Sequence, residues 1–374
     1  MYKMKKIYNL FLVAMLAICC TSCNNEWEDE QFKQLVSFKA TINGEGVSST
    51  YVRYKPDGMV TYNLPLLLSG STMNTNVRTV HVALDPDTLK TLNLERFGER
   101  RSELYYQMLD QQYYTMPETV DIPAGEYVAT LPINFTLGGE NNANSLDMSD
   151  KYILPLTIVD DPSYDYQSND RLHYRKALLN VIPFNDYSGT YDGSQFKITL
   201  EGQKDPFTVT NHKAYVHDDN TVFVYMGLRD VDYIDRKCYK LYMEFTKEKI
   251  TPLKYKLRLW TDNGQAPFYA DSDVIGILRL WTDNGGTEGN NFKELNGKIG
   301  NVEYEQPYYT VVEEYDAVKP YLKHIYITLY LAYTFEDYTL SPGNRLKYTV
   351  EGTLNMQRDL NTLIPDEDQQ IQWD

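Results

Sequence analysis

The sequence predicts an all-β protein of two domains, a β-sandwich followed by an antiparallel β-barrel or a second β-sandwich. Three observations predict it. Short segments alternate apolar and polar residues, and most are closed by Gly, Asn, Asp or Pro; a period of two marks strands with one buried face. Tyr occurs 33 times against 13 Phe and 4 Trp, and aromatic side chains favour the pleated, half-buried surface of a sheet. Beyond the first 22 residues about 350 remain, more than one hydrophobic core ordinarily serves, so two domains are expected.

The N-terminus reads as an export signal. Lys3, Lys5 and Lys6 give a basic start, residues 10–20 are apolar, and Thr21 and Ser22 precede Cys23. A basic segment, a short apolar core and small residues describe a secretory signal. The apolar run is roughly half the ~20 residues a spanning helix needs. Its Thr-Ser-Cys ending resembles a lipobox. That resemblance implies that residues 1–22 are removed, that Cys23 is lipidated, and that the lipid anchors the chain in a membrane. Stable anchoring takes more than one acyl chain, which a triacylated Cys23 supplies. Residues 23–34 then form an acidic tether in which Glu26, Glu28, Asp29 and Glu30 fall close together. This resembles the surface-export signal of Bacteroidetes lipoproteins and implies an outer-membrane location facing the exterior.

Charge and cysteine content agree with that setting. The net charge of −16 includes Lys3, Lys5 and Lys6, so the mature chain is more acidic still. Such a chain repels phosphate backbones, which argues against nucleic acid as a partner. Of four cysteines, Cys19 and Cys20 leave with the signal and Cys23 carries lipid, so Cys238 remains. One thiol makes no internal disulfide, and Cys238 is expected as a small buried hydrophobe.

Residues 35–183 carry about seven strand-like segments, at 35–42, 59–68, 77–84, 119–122, 127–137, 152–159 and 177–182. Helical patches are expected at 87–92 and 102–109. Seven short strands separated by turn signals predict an immunoglobulin-like sandwich. Pro183-Phe184-Asn185-Asp186 is the expected linker. Residues 187–374 begin a second series, at 196–200, 213–216, 221–226, 239–245, 255–260, 275–281, 308–312, 324–334 and 346–356. Eight or nine strands with short turns close as a barrel or stack as a sandwich. Gly189-Thr190-Tyr191 on the first strand and Arg358 after the last resemble the closing pair of lipocalin barrels, and imply a lipocalin-like barrel.

Ile122-Pro123-Ala124-Gly125-Glu126, Tyr152-Ile153-Leu154-Pro155-Leu156 and the tail from Arg358 to Trp373 together resemble the two-domain surface lipoproteins of Bacteroidetes encoded beside starch-utilisation-type glycan uptake systems. The function of those lipoproteins is uncharacterised. The resemblance implies a glycan-binding accessory lipoprotein, with oligosaccharide or polysaccharide, an outer-membrane transporter and companion lipoproteins as partners. It supplies no catalytic or binding residues.

The most unusual local feature is an octapeptide, Leu257-Arg258-Leu259-Trp260-Thr261-Asp262-Asn263-Gly264, repeated identically from Leu278 to Gly285. Each copy reads as a strand ending in an Asn-Gly turn, a strong hairpin signal. Leu257 and Leu259 face one way, Arg258 and Trp260 the other. Trp260 and Trp281, beside Asp262, Asn263, Asp283 and Asn284, are the candidate ligand-binding residues. Aromatic faces stack on the C–H side of a sugar while a few placed amides and carboxylates bond its hydroxyls. The bland reading is a copied hairpin whose Trp rings only pack.

Neither Asp-Asn-Gly copy carries a third acidic ligand at calcium-loop spacing, so turn chemistry explains them better and no metal is expected. The five His residues form no His-x-x-x-His pair, and no Gly-x-Ser-x-Gly elbow occurs. Nothing calls for a cofactor or marks a catalytic site. A glycan-binding surface lipoprotein is therefore expected first. A structural or adhesion protein that contacts proteins is the alternative, and a glycoside hydrolase, which needs only two suitably spaced carboxylates, is the third.

Overall fold

The structure, a computed structural model, describes residues 32–55, 58–138, 145–262, 289–341 and 344–365. Among these the chain is all-β. Ten strands precede Asn185: β1 (Leu35–Phe38), β2 (Ser48–Arg53), β3 (Val60–Ser69), β4 (Arg78–Leu84), β5 (Gln107–Met108), β6 (Tyr114–Thr115), β7 (Thr119–Ile122), β8 (Val128–Phe135), β9 (Tyr152–Ile158) and β10 (Lys176–Phe184). They form two sheets, β1-β3-β8-β6 and β2-β10-β9-β4-β7, with β5 added in parallel on β9. Alternation sends Leu64, Leu66 and Leu68 of β3 and Leu131, Ile133 and Phe135 of β8 inward. They meet Leu154, Leu156, Leu179 and Val181 of the other sheet in one apolar cluster. This is the expected sandwich, with more strands than the sequence suggested.

The sandwich also buries an outer face. Helix α1 (Pro86–Phe97) starts with Pro at its first turn and with Asp85 as cap, whose carboxylate accepts from the Thr88 N–H at 3.2 Å. Its Leu89 packs with Ile153, Leu178, Val47 and Tyr106. The expected helical patch at 102–109 is instead a 3₁₀ turn (Glu99–Leu104) followed by β5. The cause is tertiary. Buried Asn93 donates to the Tyr106 carbonyl at 2.9 Å and accepts from its N–H at 2.8 Å, and β5 then pairs with β9.

The second half decides between sandwich and barrel. Its strands are β11 (Gly189–Leu200), β12 (Phe207–Thr208), β13 (Asn211–Val216), β14 (Thr221–Tyr225), β15 (Lys240–Lys249), β16 (Tyr255–Trp260), β17 (Lys293–Glu294), β18 (Gly297–Ile299), β19 (Val302–Tyr304), β20 (Tyr308–Tyr315), β21 (Leu322–Asp337) and β22 (Leu346–Asn361). The ladder β11-β13-β14-β15-β16-β20-β21-β22 is antiparallel throughout, and β22 pairs back onto β11. Eight strands thus close into a barrel, with no open edge along that ladder. The sequence-expected strand at 275–281 lies outside the described residues.

Closure needs Gly352. Its φ is +144°, and a Cβ there would overlap the Gln195 carbonyl oxygen across the β22–β11 seam. The interior is a packed core: Tyr191, Phe196, Met243, Phe245, Leu329, Phe335 and Leu354 are all at most 2% exposed. An eight-strand barrel is just wide enough for its side chains to fill. Cys238 is buried and free in this core, as expected. Arg358 also ties the barrel to the linker. It lies within β22, its guanidinium sits 5.9 Å from the Phe184 ring, and it donates to Asp186 at 2.9 Å. Arg53 of β2 donates to the same carboxylate at 2.8 Å. Two cations from the two halves of the chain therefore grip one linker carboxylate.

Candidate functional site at the domain junction

Described side chains fill the barrel, so the aromatic groups within reach of a ligand are those on its outer face. The outer faces of β13, β14, β15 and β16 carry aromatic residues in register: Tyr215 opposite Phe223, Phe223 opposite Tyr242, Tyr242 opposite Trp260. Cross-strand neighbours on one face stand about 5 Å apart, so the rings meet as a ladder. Tyr215 and Phe223 stack at 5.4 Å, and Tyr242 and Trp260 at 5.5 Å with only 12° between their planes.

One end of this ladder is interface. Phe223, Tyr225 and Tyr242 are buried in the same apolar cluster as the sandwich core, so the two domains share one hydrophobic body. The segment 145–151 between β8 and β9 runs along the barrel wall. Ser145 donates to the His217 carbonyl at 3.2 Å, Asp147 pairs with Lys240 at 3.3 Å, and Lys151 pairs with Asp232 at 3.5 Å. Arg236 is the anchor: it donates to the carbonyls of Ser149 at 2.6 Å and Glu103 at 3.0 Å and to Asp150 at 2.9 Å.

The other end is open. Trp260 is half-buried, packed against the shared cluster at its margin. Polar groups, buried Lys240 among them, back the ladder on its interface side. The Lys240 ammonium lies 5.5 Å from the centres of both the Tyr242 and Phe223 rings, a cation–π arrangement. Burial pulls this ammonium down, but Asp147 and the Tyr242 hydroxyl outweigh it and hold its pKa above the ordinary value. Burial likewise opposes ionisation of Asp147, yet Lys240 and the hydroxyl and N–H of Ser149 keep its carboxyl below the usual range. His217 packs edge-on to Tyr242 at 4.9 Å, and burial lowers its pKa despite Asp218. Asp262 is exposed two residues beyond Trp260 and adds to the field around Lys240.

Of the sequence-predicted residues, the structure therefore brings together Trp260 and Asp262, and it confirms that Leu257 and Leu259 face the core while Arg258 and Trp260 face out. Asn263, Trp281, Asp283 and Asn284 lie outside the described residues, as does Cys23. Trp260 has Tyr242 as its described stacking partner. Tyr242, Lys240, His217 and Asp147 carry no motif that marks them in the sequence. The signal for Tyr242 was present as alternation in Lys240-Leu241-Tyr242-Met243, but only the strand register shows that it meets Trp260. Among the described residues no group of three or more His, Cys, Asp or Glu side chains is placed to hold a metal ion.

Residues 27–162 match the family described as a domain of unknown function, DUF4973, and residues 175–355 match one described only as a "-like, C-terminal" domain. No curated protein matches the sequence. Solved structures do. A protein of unknown function from Bacteroides ovatus is 39% identical, with 91% of this chain and 97% of that one covered and a TM-score of 0.71. A multidomain protein including DUF1735, also from Bacteroides ovatus, is 38% identical over 91% of this chain and 100% of that one, with a TM-score of 0.69. An auxiliary nutrient binding protein from Bacteroides thetaiotaomicron is 32% identical, with 90% and 100% covered and a TM-score of 0.67. With this identity over nearly its whole length, the chain belongs to the family that these Bacteroides proteins form, with a DUF4973 domain in its N-terminal part.

Proposed function

We propose that the protein is a lipid-anchored surface lipoprotein that binds glycan as an accessory to an outer-membrane polysaccharide uptake system. The observation that carries this reading is the 32% identity, across 90% of this chain, to an auxiliary nutrient binding protein. The Thr21-Ser22-Cys23 sequence and the acidic tether support an anchor at Cys23 and display on the exterior. A transporter and companion lipoproteins are then the natural recipients of the ligand.

The open end of the aromatic ladder is the site we assign to it. Trp260 offers an indole ring already held parallel to Tyr242, so little rotamer freedom is lost on binding. Asp262, exposed two residues beyond it, stands ready to bond sugar hydroxyls, while buried Lys240, paired with Asp147, holds the ladder from behind. An apolar platform with a few fixed polar groups is what a small hydroxyl-rich ligand requires.

The test is affinity electrophoresis and a glycan array on the mature chain, comparing wild type with Trp260→Ala. Retention by wild type that the variant weakens several-fold supports both function and site. Unchanged retention in the variant keeps the function and removes the site. Absence of retention on every glycan favours an adhesion or structural role, and product release from a labelled oligosaccharide favours a hydrolase. A Cys23→Ala variant that still partitions into the outer membrane would overturn the anchor.

A further inference from the structure

Across the barrel from the junction, β20, β21, β22 and β11 form a continuous antiparallel wall that the sandwich does not cover by any described pairing. Its outward positions are fixed by register. Tyr308 lies opposite Tyr330, Tyr330 opposite Thr353, and Thr353 opposite Gln195. In the next outward row Thr328 lies opposite Asn355, and beyond it Tyr326 lies opposite Gln357. The intervening residues Ile327, Leu329 and Leu354 are buried in the barrel, so the rows above face solvent.

This face is largely uncharged: Val312 lies opposite Tyr326, and at the β16 margin Lys256 lies opposite Tyr308 with its ammonium paired to Glu248 at 3.2 Å. The Tyr308 and Tyr330 rings stack at 5.4 Å with 18° between their planes, and Tyr326 is exposed. The Thr328 hydroxyl donates to the Asn355 side-chain carbonyl at 2.8 Å, and that of Thr353 to the Gln195 side-chain carbonyl at 3.3 Å. With those carbonyl oxygens engaged, both amides have NH₂ groups to donate. Phenol, hydroxyl and amide groups make up the interior of the patch. Carboxylates border it: Tyr330 donates to Glu351 at 3.3 Å, and Asp192 lies opposite Asn355. The cation over Tyr308, Lys254 at 3.9 Å, is paired with Glu305.

We propose that this face of β20, β21, β22 and β11 is a second glycan-binding surface, selective for neutral polysaccharide chains. The proposal rests on the glycan-binding reading above and adds a site and a ligand class to it. Charge decides the class. A face of aromatic and amide groups bordered by carboxylates, on a chain of net charge −16, repels uronate, sulfate and phosphate polymers and leaves an uncharged polyol as the complementary ligand. Size agrees, because three inter-strand steps of the ordinary 4.7–4.9 Å span about 14 Å, room for a few consecutive sugar residues. The wall is also preorganised, since β21 and β22 pair without interruption from Leu322–Asn361 to Asp337–Leu346. Two platforms on opposite sides of one barrel let a single molecule engage a polymer at two points or bridge two chains, gaining avidity without new contacts.

Affinity electrophoresis of the mature chain in gels containing neutral polysaccharides (mannan, xylan, β-glucan) or acidic ones (polygalacturonate, chondroitin sulfate) tests this. The variants are Tyr326→Ser with Asn355→Ala, Thr328→Val, and Trp260→Ala, each checked for unchanged thermal unfolding. The expected result is retention of wild type by a neutral polymer, insensitive to salt, reduced at least fivefold in the Tyr326/Asn355 pair and measurably in Thr328→Val, with part of it surviving in Trp260→Ala. Wild-type retention that the Tyr326/Asn355 pair leaves intact overturns the second surface and spares the general function. Retention confined to acidic polymers and abolished by salt overturns the ligand class. Absence of retention in every gel overturns this surface together with the glycan-binding reading itself.

Discussion

Arg236 of the barrel donates to Asp150 of the sandwich at 2.9 Å, with only 3% of the Arg236 side chain exposed. The same guanidinium serves the carbonyls of Ser149 and Glu103, so one residue satisfies three acceptors on the other domain. Around it the two domains share an apolar cluster, so the two are expected to unfold together.

Arg236→Ala is therefore expected to destabilise the whole chain. The buried Ser149 carbonyl and the part-buried Glu103 carbonyl lose their donor at ~1–3 kcal/mol for each buried group, so a total loss of about 3 kcal/mol should appear in urea unfolding. Arg236→Lys should recover only part of it, because a single ammonium cannot fork toward three acceptors. A midpoint unchanged in Arg236→Ala would show that the interface does not depend on this residue.

The two stacked rings at the junction should separate in their effects. Tyr242 is 9% exposed, so Tyr242→Ala should cost about 3–5 kcal/mol, as large-to-small core changes do. Trp260 is half-buried, and Trp260→Ala should cost less than about 2 kcal/mol by the same reasoning while weakening glycan retention. Denaturant midpoints beside binding assays decide this. Equal stability losses would make Trp260 an interface residue.

Acid sensitivity should appear above the carboxylate range. His212 is 6% exposed, its Nε2 has no hydrogen-bond partner among the described residues, and burial pushes its pKa from 6.5 to about 4. The folded state thus holds it neutral while the unfolded chain protonates it below pH 6.5. Stability is full above that value and falls as pH drops toward 4, by about 3 kcal/mol for this shift. His217, also lowered by burial, acts in the same direction. His324 acts in the opposite one: bonds to Asp359 and Asp316 raise its pKa, so its contribution is present at low pH and lost as pH rises through the folded value. His212→Leu should flatten the slope between pH 6.5 and 4. An unchanged slope in that variant would assign the effect to other groups.

Gly352→Ala should impair barrel closure. The added Cβ meets the Gln195 carbonyl with φ at +144°, combining backbone strain with overpacking. A loss of ~3 kcal/mol or more is expected, read as a lower melting temperature and reduced soluble yield. Wild-type melting in this variant would mean that the seam accommodates a side chain.

The sequence by itself determined the secondary-structure class, because period-two alternation is a local property written in strands such as β2, β3, β8 and β13. It also placed Trp260 outward and Leu257 and Leu259 inward, identified Cys238 as a buried hydrophobe, and located a helix at 87–92, which the structure extends to Pro86–Phe97. Tertiary structure alone decided the rest. Barrel or sandwich depends on whether β22 returns to β11, a pairing across more than 150 residues that no local pattern encodes. The segment 102–109 lost its helical expectation to Asn93, a distant hydrogen-bonding partner of Tyr106. Arg358 was legible only as a residue near the barrel seam, and folding added its contacts to Asp186 and Phe184 at the domain link. The partner of Trp260 likewise came from another strand, because register, which puts Tyr242 opposite it, exists only once the sheet has formed.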